Sequence, residues 1–261
     1  MASISKISKN KYFKAGIILS AIVILLVSIV LSFWFTSRAL FSKNKHFILR
    51  YVAVESPGWW NAHSQDVADI LGLKINRTNL FDVKLKELKT KLEKESSIEK
   101  VTVSRVLPDT LKFDIIERIP RAFLDHRKSP WVVASSGIVM DRNSCMNINM
   151  RLPVIIEYGG GPNLKAGTYL PQLKPAIDLI MLTLTEFSDF KISAISLKNP
   201  EEIEFILLYK DEVKKPFRIV MPSDELESKL SVLKNAIIKA RRSGDTRRMI
   251  NLTYEGNVIM R

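Results

Sequence analysis

The side chains that most often carry catalysis or hold metal ions are few in this chain and lie far apart. Its three histidines, His46, His63 and His126, fall in separate segments without the spacing of metal ligands. An active site needs a nucleophile beside a base, a metal cluster or a phosphate cradle. The sequence shows none of these, so we predict a protein that is not an enzyme and has no catalytic residue, metal site or cofactor.

Three further groups of residues could carry chemistry. Glu117 and Arg118 are adjacent at the predicted end of a strand, where they can form a structural pair or an exposed contact. Residues 159–161 are glycines, but no lysine and helix start follow them, so we interpret them as a linker rather than a phosphate loop. A basic group near the carboxy terminus is either a solvated loop or a contact for anionic lipid or an acidic partner. Its members are Arg241, Arg242, Arg247 and Arg248.

Residues 15–35 carry no charge and are almost wholly apolar, which predicts a transmembrane helix. About 21 residues rising ~1.5 Å each span roughly 31 Å, close to the ~30 Å hydrocarbon core of a bilayer. A cleaved signal peptide is the rival interpretation, but its apolar part is usually shorter. Aromatic residues at both ends of the stretch, such as Tyr12 and Trp34, suit the membrane interface and favour an uncleaved anchor at 15–36.

The charges that flank this stretch predict its orientation. Four lysines and no acidic residue precede it, which is typical of a cytoplasmic flank, and no second apolar stretch returns the chain. We therefore expect a cytoplasmic basic tail at 1–14, a basic stalk at 37–46 and an extracytoplasmic body. The predicted location is the cytoplasmic (inner) membrane, crossed once, with the larger domains in the periplasm or outside the cell.

The formal net charge of +13 raises the question of nucleic acid binding. The basic residues are spread over the whole length, and no nucleic-acid-binding motif accompanies them. We therefore expect no nucleic acid partner, and instead an attraction to anionic lipid or to an acidic protein. Cys145 is the single cysteine, so no internal disulfide can form.

Residues 47–122 predict a module of the order β-α-α-β-β. A strand over 46–56 is followed by a helix that Ser64 can cap and a second helix that Asp82 can cap. Two alternating segments then predict a hairpin whose turn contains Pro108.

Residues 123–261 predict a second domain with two helices. The pattern indicates strands at 192–197, 203–209 and 217–221 in one antiparallel sheet, with helices through 173–184 and 226–237. Each helix has an apolar stripe that we predict to be buried: Leu173, Ile177, Ile180, Met181 and Leu184 in the first, and Leu226, Leu230, Leu233 and Ile237 in the second. Asp224 and Glu227 suggest a capping box for the second helix. The predicted fold class is α+β, with a single N-terminal transmembrane helix, the β-α-α-β-β module and a second mixed α/β domain built on an antiparallel sheet.

The β-α-α-β-β order outside a single anchor is that of a POTRA domain, and the chain resembles the FtsQ/DivIB family of bacterial cell-division proteins. Five segments carry the resemblance in the family's order: Asn-Leu-Phe at 79–81, Ser-Ile-Glu-Lys-Val at 97–101, Val-Ser-Arg at 103–105, Pro-Asp-Thr-Leu at 108–111 and Glu-Arg-Ile-Pro-Arg-Ala at 117–122. The chain departs from the family at Ser56, where a glycine is often found, and at Asn251, where relatives often have Asp.

The resemblance implies a bitopic scaffold of the divisome at the division septum. Such proteins link early and late division proteins and recruit FtsB/FtsL-like bitopic coiled-coil proteins to control septal peptidoglycan synthesis. In the family an exposed terminal strand receives a strand of the FtsB partner, which here predicts contacts at Thr253, Tyr254, Val258 and Ile259. The POTRA domain contacts other divisome proteins, and the residues predicted for this role are Arg105, Glu117, Arg118 and Arg121.

Two rival functions follow from the same sequence. A POTRA-bearing transport or assembly component would be expected to have repeated modules or a membrane barrel. A signal-anchored cell-wall enzyme would require a catalytic constellation and activity on muropeptides.

Overall fold

The computed structural model describes residues 4–37, 41, 44–145, 151–161, 163–210, 215–254 and 258–260. Half of the predicted stalk and the first three residues of the predicted tail lie outside the described residues. Two compact units are present. The first comprises Met1–Ala53, Gln65–Leu88 and Val103–Phe113, and the second comprises Val54–Ser64, Lys89–Thr102 and Asp114–Arg261.

A single long helix, α1 (Ile4–Ser37), opens the chain. Its segment Gly16–Thr36 is long and apolar enough to cross a membrane, which agrees with the span predicted from the sequence. The hydroxyls of Ser20 and Ser28 donate to carbonyl oxygens three residues earlier, at 2.9 and 2.8 Å, so these polar groups are satisfied within the helix. The helix begins well before this span, so most of the predicted basic tail is helical.

The predicted β-α-α-β-β module is present. Its elements are β1 (Tyr51–Glu55), α2 (Ser64–Leu71), α3 (Leu85–Leu92), β2 (Ile98–Val106) and β3 (Thr110–Glu117), and the three strands form one sheet in the order β1-β3-β2. Buried residues alternate along β3 as the sequence predicted. Strand β1 begins later than expected, because Lys45–Phe47 form a 3-10 helix instead.

The two helices of this module bury one face each. In α2 the buried residues are Val67, Ala68 and Leu71, and Gly72 follows with a φ of +70°, a conformation that glycine adopts without steric cost. In α3 the buried residues include Leu88 and Leu92. Apolar side chains at spacings of three and four therefore face the protein, as amphipathic helices require.

The second domain is a nine-stranded sheet with two helices. The strands are β4 (Pro120–Leu124), β5 (Trp131–Ala134), β6 (Val139–Asp141), β7 (Val154–Ile156), β8 (Phe190–Ser196), β9 (Glu202–Tyr209), β10 (Phe217–Pro222), β11 (Met249–Asn251) and β12 (Ile259–Met260). Their order is β12-β11-β10-β9-β8-β7-β4-β5-β6. Strands β8, β9 and β10 are antiparallel as predicted, but the β4–β7, β7–β8 and β10–β11 pairs are parallel, so the sheet is mixed.

Helices α4 (Lys174–Thr185) and α5 (Leu226–Arg242) contribute to the main core of this domain. The predicted buried stripe of α5 is confirmed, since Leu230, Leu233 and Ile237 are fully buried. The predicted stripe of α4 is wrong at its end, because Leu184 is 57% exposed and Thr183 is buried instead.

The predicted capping box of α5 is also wrong. The residue at the N-cap is Glu225, with a φ of +51° in the left-handed region, and it makes no side-chain capping hydrogen bond. The left-handed residue reorients the backbone immediately before the helix, so the helix begins after Glu225 and Asp224 is not its N-cap.

The two ends of the nine-stranded sheet differ. Along β6, the Val139 N–H donates to the Thr168 carbonyl at 2.9 Å, and the Gly167 N–H donates to the Val139 carbonyl at 2.8 Å. The segment around residue 168 therefore covers that edge. At the other end β12 pairs only with β11 among the strands of the described residues.

We expect Leu230→Ala to lower the free energy of unfolding by about 2–5 kcal/mol, because it leaves a cavity in the core beneath α5. The matched control Val232→Ala, on the same helix but 44% exposed, should change it by no more than about 0.5 kcal/mol. Urea unfolding in detergent, followed by tryptophan fluorescence, measures both. Equal effects of the two substitutions would contradict the burial of this stripe.

Candidate functional site

A groove runs beside the terminal strand of the nine-stranded sheet. It has a volume of about 520 Å³, and helix α5 and strand β12 both contribute to its walls. The apolar lining includes Val232, Ala236, Val258 and Met260, and the polar lining includes Lys239 and Arg247. A groove of this composition can accept apolar side chains between cationic edges.

The two faces of β12 divide the predicted contact residues. Met260 is paired with Ile250, which is fully buried in the core that α5 covers, so Met260 shares the helix-covered face. Ile259 is paired with Asn251 and faces the opposite side of the sheet. Val258 and Met260 therefore line the groove while Ile259 does not. Sequence reasoning missed Met260, although the alternation of side chains along a strand was the signal that could have found it.

Arg247 links the end of β12 to the segment between α5 and β11 through hydrogen bonds. Its guanidinium binds both carboxylate oxygens of Asp245 and donates from Nη1 to the carbonyl of Met260 at 3.2 Å. Hydrogen bonds from Arg247 lower the pKa of Asp245 to about 2, so the pair is charged at physiological pH. This arginine positions the strand as well as lining the groove.

The predicted basic loop is partly helical. Arg241 and Arg242 belong to the last turn of α5, where cations are favourable at the negative end of the helix dipole. The guanidinium carbon of Arg241 lies 5.2 Å from the ring centroid of Tyr209, and that of Arg248 lies 4.7 Å from the ring centroid of Phe217. Two members of this group therefore pack against aromatic rings, and three of the four, Arg241, Arg242 and Arg247, are exposed to solvent as the sequence predicted.

Thr253 and Tyr254 do not belong to the terminal strand, which corrects the sequence interpretation. Strand β11 ends at Asn251, whose Oδ1 accepts from the N–H and the hydroxyl of Thr253 at 2.8 and 2.7 Å. Such an Asx-type turn takes the backbone out of the strand. Tyr254 is 55% exposed after this turn, so its ring remains available to a partner.

Glu117 acts as an internal acceptor at the end of β3. Its carboxylate accepts from the N–H groups of Trp59 and Trp60 at 3.0 and 2.9 Å and from the hydroxyl of Ser56. These N–H groups belong to the start of the 3-10 helix Trp59–Ala62, where backbone donors lack partners within the helix. A Cβ at Gly58 would collide with this carboxylate, which is why glycine fits there.

Arg118 and Arg105 also bind backbone carbonyls within the protein. Arg118 donates from Nη1 to the carbonyls of Ser96, at 2.9 Å, and Ile98. Burial lowers the pKa of the Arg118 guanidinium, and Glu99 opposes that effect. Arg105 donates to the carbonyls of Leu80 and Val83, both at 2.7 Å.

Arg121 differs from these two arginines. Its Nε is buried and has no hydrogen-bond partner among the described residues. The side chain lines a cavity of about 240 Å³ together with Arg151 and Leu184. Arg121 lies in β4, the first strand of the nine-stranded sheet, rather than in the three-stranded sheet where the sequence analysis grouped it.

The remaining candidates for chemistry are separate from one another. No group of three His, Cys, Asp or Glu side chains that could hold a metal ion occurs within the described part of the chain. His63 stacks on Trp59 with ring centroids 3.5 Å apart. Burial, with a smaller contribution from Glu117 and Asp141, raises the pKa of the Cys145 thiol to about 12, so this cysteine is a poor nucleophile at neutral pH.

We expect Glu117→Ala to lower the free energy of unfolding by about 1.5–3 kcal/mol, because a charged acceptor of three hydrogen bonds is lost. Gly58→Ala should also destabilise, since its methyl group displaces the same carboxylate. The double variant should lose less free energy of unfolding than the two single variants together, because both substitutions disrupt the same interaction of the Glu117 carboxylate. Urea unfolding tests this cycle, and strict additivity would contradict it.

A second pair of substitutions separates Arg118 from Arg121. Arg118→Met should lower the free energy of unfolding by about 1.5–3 kcal/mol, because it leaves buried carbonyls without their charged donor. Arg121→Met should leave it unchanged or raise it by about 1 kcal/mol, because an unsatisfied buried N–H is removed. Thermal unfolding measures both, and a larger loss for Arg121→Met would show that it has a structural partner.

Comparison with known proteins identifies the module and its relatives. Residues 52–118 match the family model described as a POTRA domain of the FtsQ type. The chain is 29% identical over 167 residues to the cell division protein FtsQ of Rickettsia typhi (strain ATCC VR-144 / Wilmington), covering 59% of this chain and 61% of that protein. It is 29% identical over 163 residues to FtsQ of Rickettsia conorii (strain ATCC VR-613 / Malish 7), covering 58% and 60%.

A more distant relative agrees. The cell division protein FtsQ of Koribacter versatilis (strain Ellin345) is 25% identical over 141 residues, covering 53% of this chain and 40% of that protein. The chain thus spans less than two-thirds of the length of these curated relatives. The apolar helix α1 and these relatives together indicate a membrane-anchored division protein. The chain contains an FtsQ-type POTRA domain, and its similarity to these relatives supports an assignment to the FtsQ/DivIB family of bacterial cell-division proteins.

Proposed function

We propose that this protein is a non-catalytic bitopic scaffold of the divisome that recruits an FtsB/FtsL-like complex through the β12 edge. Through this complex it links early and late division proteins and controls septal peptidoglycan synthesis. The observation that carries the proposal is the position of β12 at the end of the nine-stranded sheet, next to the 520 Å³ groove.

The chemistry of this edge supports strand addition. An edge strand presents backbone donors and acceptors that an incoming strand can pair with, while alternate side chains enter neighbouring pockets. Val258 is 39% exposed and Met260 is partly buried, so both offer apolar surface to side chains from the partner. The charge of Arg247 is balanced by Asp245, which also lines the groove, so Lys239 is the cation there that favours an acidic residue in the incoming segment.

Contacts from the POTRA domain and from strand β4, which follows it, are a second part of the proposal. Three members of the predicted set bind backbone groups within this protein: Arg105, Glu117 and Arg118. These contacts support an indirect role, in which the three side chains stabilise the local backbone conformation of the contact surface. Arg121 has an unpartnered Nε beside a cavity, so it is the member of the predicted set best suited to direct contact with a divisome protein.

The proposed topology places the amino terminus in the cytoplasm and the residues after α1 outside the membrane, at the septum. Fusions of alkaline phosphatase, which is active only outside the cytoplasm, test this arrangement. A fusion after residue 252 should be active, and a fusion at the amino terminus should be inactive. The reverse pattern would contradict the orientation.

Photo-crosslinking tests the partner surface. A benzoyl-phenylalanine at Met260 or Val232 of the full chain should capture a small coiled-coil membrane protein in dividing cells, identified by mass spectrometry. The control position is Tyr169, which is 61% exposed beside the opposite end of the sheet. Capture of that partner at Tyr169 but not at Met260 would overturn the proposed edge.

Substitution of the groove gives a quantitative test. Met260→Asp should reduce co-purification of the partner about 30-fold, the loss of about 2 kcal/mol expected for a central contact residue. Tyr169→Asp is the matched control and should leave co-purification unchanged. Wild-type recovery with Met260→Asp would contradict the proposal.

The same experiments separate the rival functions. Capture of a secretion or assembly complex would favour a transport component, and cleavage of muropeptides by the purified chain would favour a cell-wall enzyme. The similarity to FtsQ proteins supports the scaffold over both.

A further inference from the structure

The first unit is held close to the end of the membrane anchor. The side-chain amide of Asn79 donates to the carbonyls of Phe41 and Asn44, each at 3.1 Å. Phe41 also packs against Phe47 and Phe81, with ring centroids 5.9 and 4.9 Å away. These contacts attach Phe41 to the residues around Asn79.

The chain between the anchor and Phe41 is short. Thr36 ends the apolar span, and five Cα steps of 3.8 Å separate it from Phe41, so the two cannot be more than about 19 Å apart. The headgroup region of a bilayer adds roughly 5–8 Å on each side of the hydrocarbon core. The part of the first unit that surrounds Phe41 is therefore restricted to the neighbourhood of the membrane surface.

Two loops lie on either side of the backbone that leads into β1. On one side the Leu49 carbonyl accepts from the Asn76 N–H at 2.8 Å, and on the other the Arg50 N–H donates to the Asp109 carbonyl at 2.8 Å. The first loop contains Ile75, which is 37% exposed, and the second contains Leu107, which is 55% exposed. Exposed apolar side chains such as these have a lower free energy in the membrane interface than in water.

The same region carries an excess of positive charge. Its exposed cations are Lys45, Arg50, Lys74 and Arg77. The region also contains acidic residues: the carboxylate of Asp109 lies 4.0 Å from Arg50 and is 18% exposed, and Asp82 is exposed next to Phe81. We call the set of Phe41, Ile75, Val106, Leu107 and these four cations the anchor-side surface.

We propose that the anchor-side surface docks onto a bilayer that contains anionic lipid. Loop residues such as Leu107 enter the interface while Lys74 and Arg77 bind headgroups, so α1 is not the only part of the protein in contact with the membrane. The surface would then fix the orientation of the first unit on the bilayer and keep it near the septal membrane. This inference goes beyond the proposed partner site and uses none of its residues.

Depth-dependent fluorescence quenching tests the proposal on the full chain in nanodiscs. Cys145→Ser removes the native thiol, and Leu107→Cys then carries an NBD fluorophore. The control label is at Gln65→Cys, an exposed position at the opposite end of α2 from the Lys74 loop. Lipids with a nitroxide near the headgroup should quench the label at 107 more strongly than the label at 65 in discs that contain phosphatidylglycerol.

Charge neutralisation separates docking from mere proximity. Each cation near an anionic surface is worth about a fivefold change in the docked population, so Lys74→Gln with Arg77→Gln should lower the docked-to-undocked ratio about 25-fold. Discs of phosphatidylcholine alone should give a similar loss. Lys229→Gln with Lys234→Gln, on α5, is the matched control and should leave quenching at 107 unchanged.

Three results would overturn the proposal. Equal quenching of the labels at 107 and 65 in anionic discs would show that the surface does not dock. Quenching at 107 that is insensitive to both lipid charge and neutralisation would exclude the headgroup contacts. Failure of the labelled chain to elute with the discs would contradict both the membrane anchor and this proposal. It would not bear on the partner site at β12, which the crosslinking experiment tests separately.

Discussion

The satisfaction of backbone hydrogen bonds across the nine-stranded sheet is the constraint on which the rest of the second domain depends. Every strand but the two at the ends has neighbours on both sides, and the order β12-β11-β10-β9-β8-β7-β4-β5-β6 leaves one edge at β6 and one at β12. The chain near Thr168 pairs with the β6 edge. The β12 edge is instead fastened by Arg247 and left beside a groove, which makes it the natural place for a strand from another chain.

Three charged side chains satisfy backbone groups where regular elements end. Glu117 accepts from the first N–H groups of a short helix, while Arg118 and Arg105 donate to carbonyls in the connections before and after α3. Such contacts are worth more than surface ion pairs because the backbone groups would otherwise be buried without partners. Within the described part of the chain, Arg121 lacks such a contact for its Nε, which sets it apart from these three side chains.

Side-chain periodicity predicted the elements well and their ends poorly. The hairpin of β2 and β3 and the buried stripe of α5 follow from alternation and from spacings of three and four, because burial on one face is a local property of the chain. The predicted start of β1, cap of α5 and burial of Leu184 were wrong. A 3-10 helix replaces the start of the strand, a left-handed residue precedes α5, and Leu184 is exposed.

The amino-acid sequence by itself determined the membrane anchor, the β-α-α-β-β order and the family resemblance, because these depend on composition and local pattern. Only the tertiary structure decided that Val258 and Met260 line the groove while Ile259 faces away, and that Thr253 and Tyr254 lie beyond a turn. Strand order decides which edge remains without a neighbour, and parallel pairs such as β10 with β11 join segments far apart in sequence. Local patterns carry no information on such pairing, so the candidate site could be assigned to the end of the chain but not to a face of the sheet.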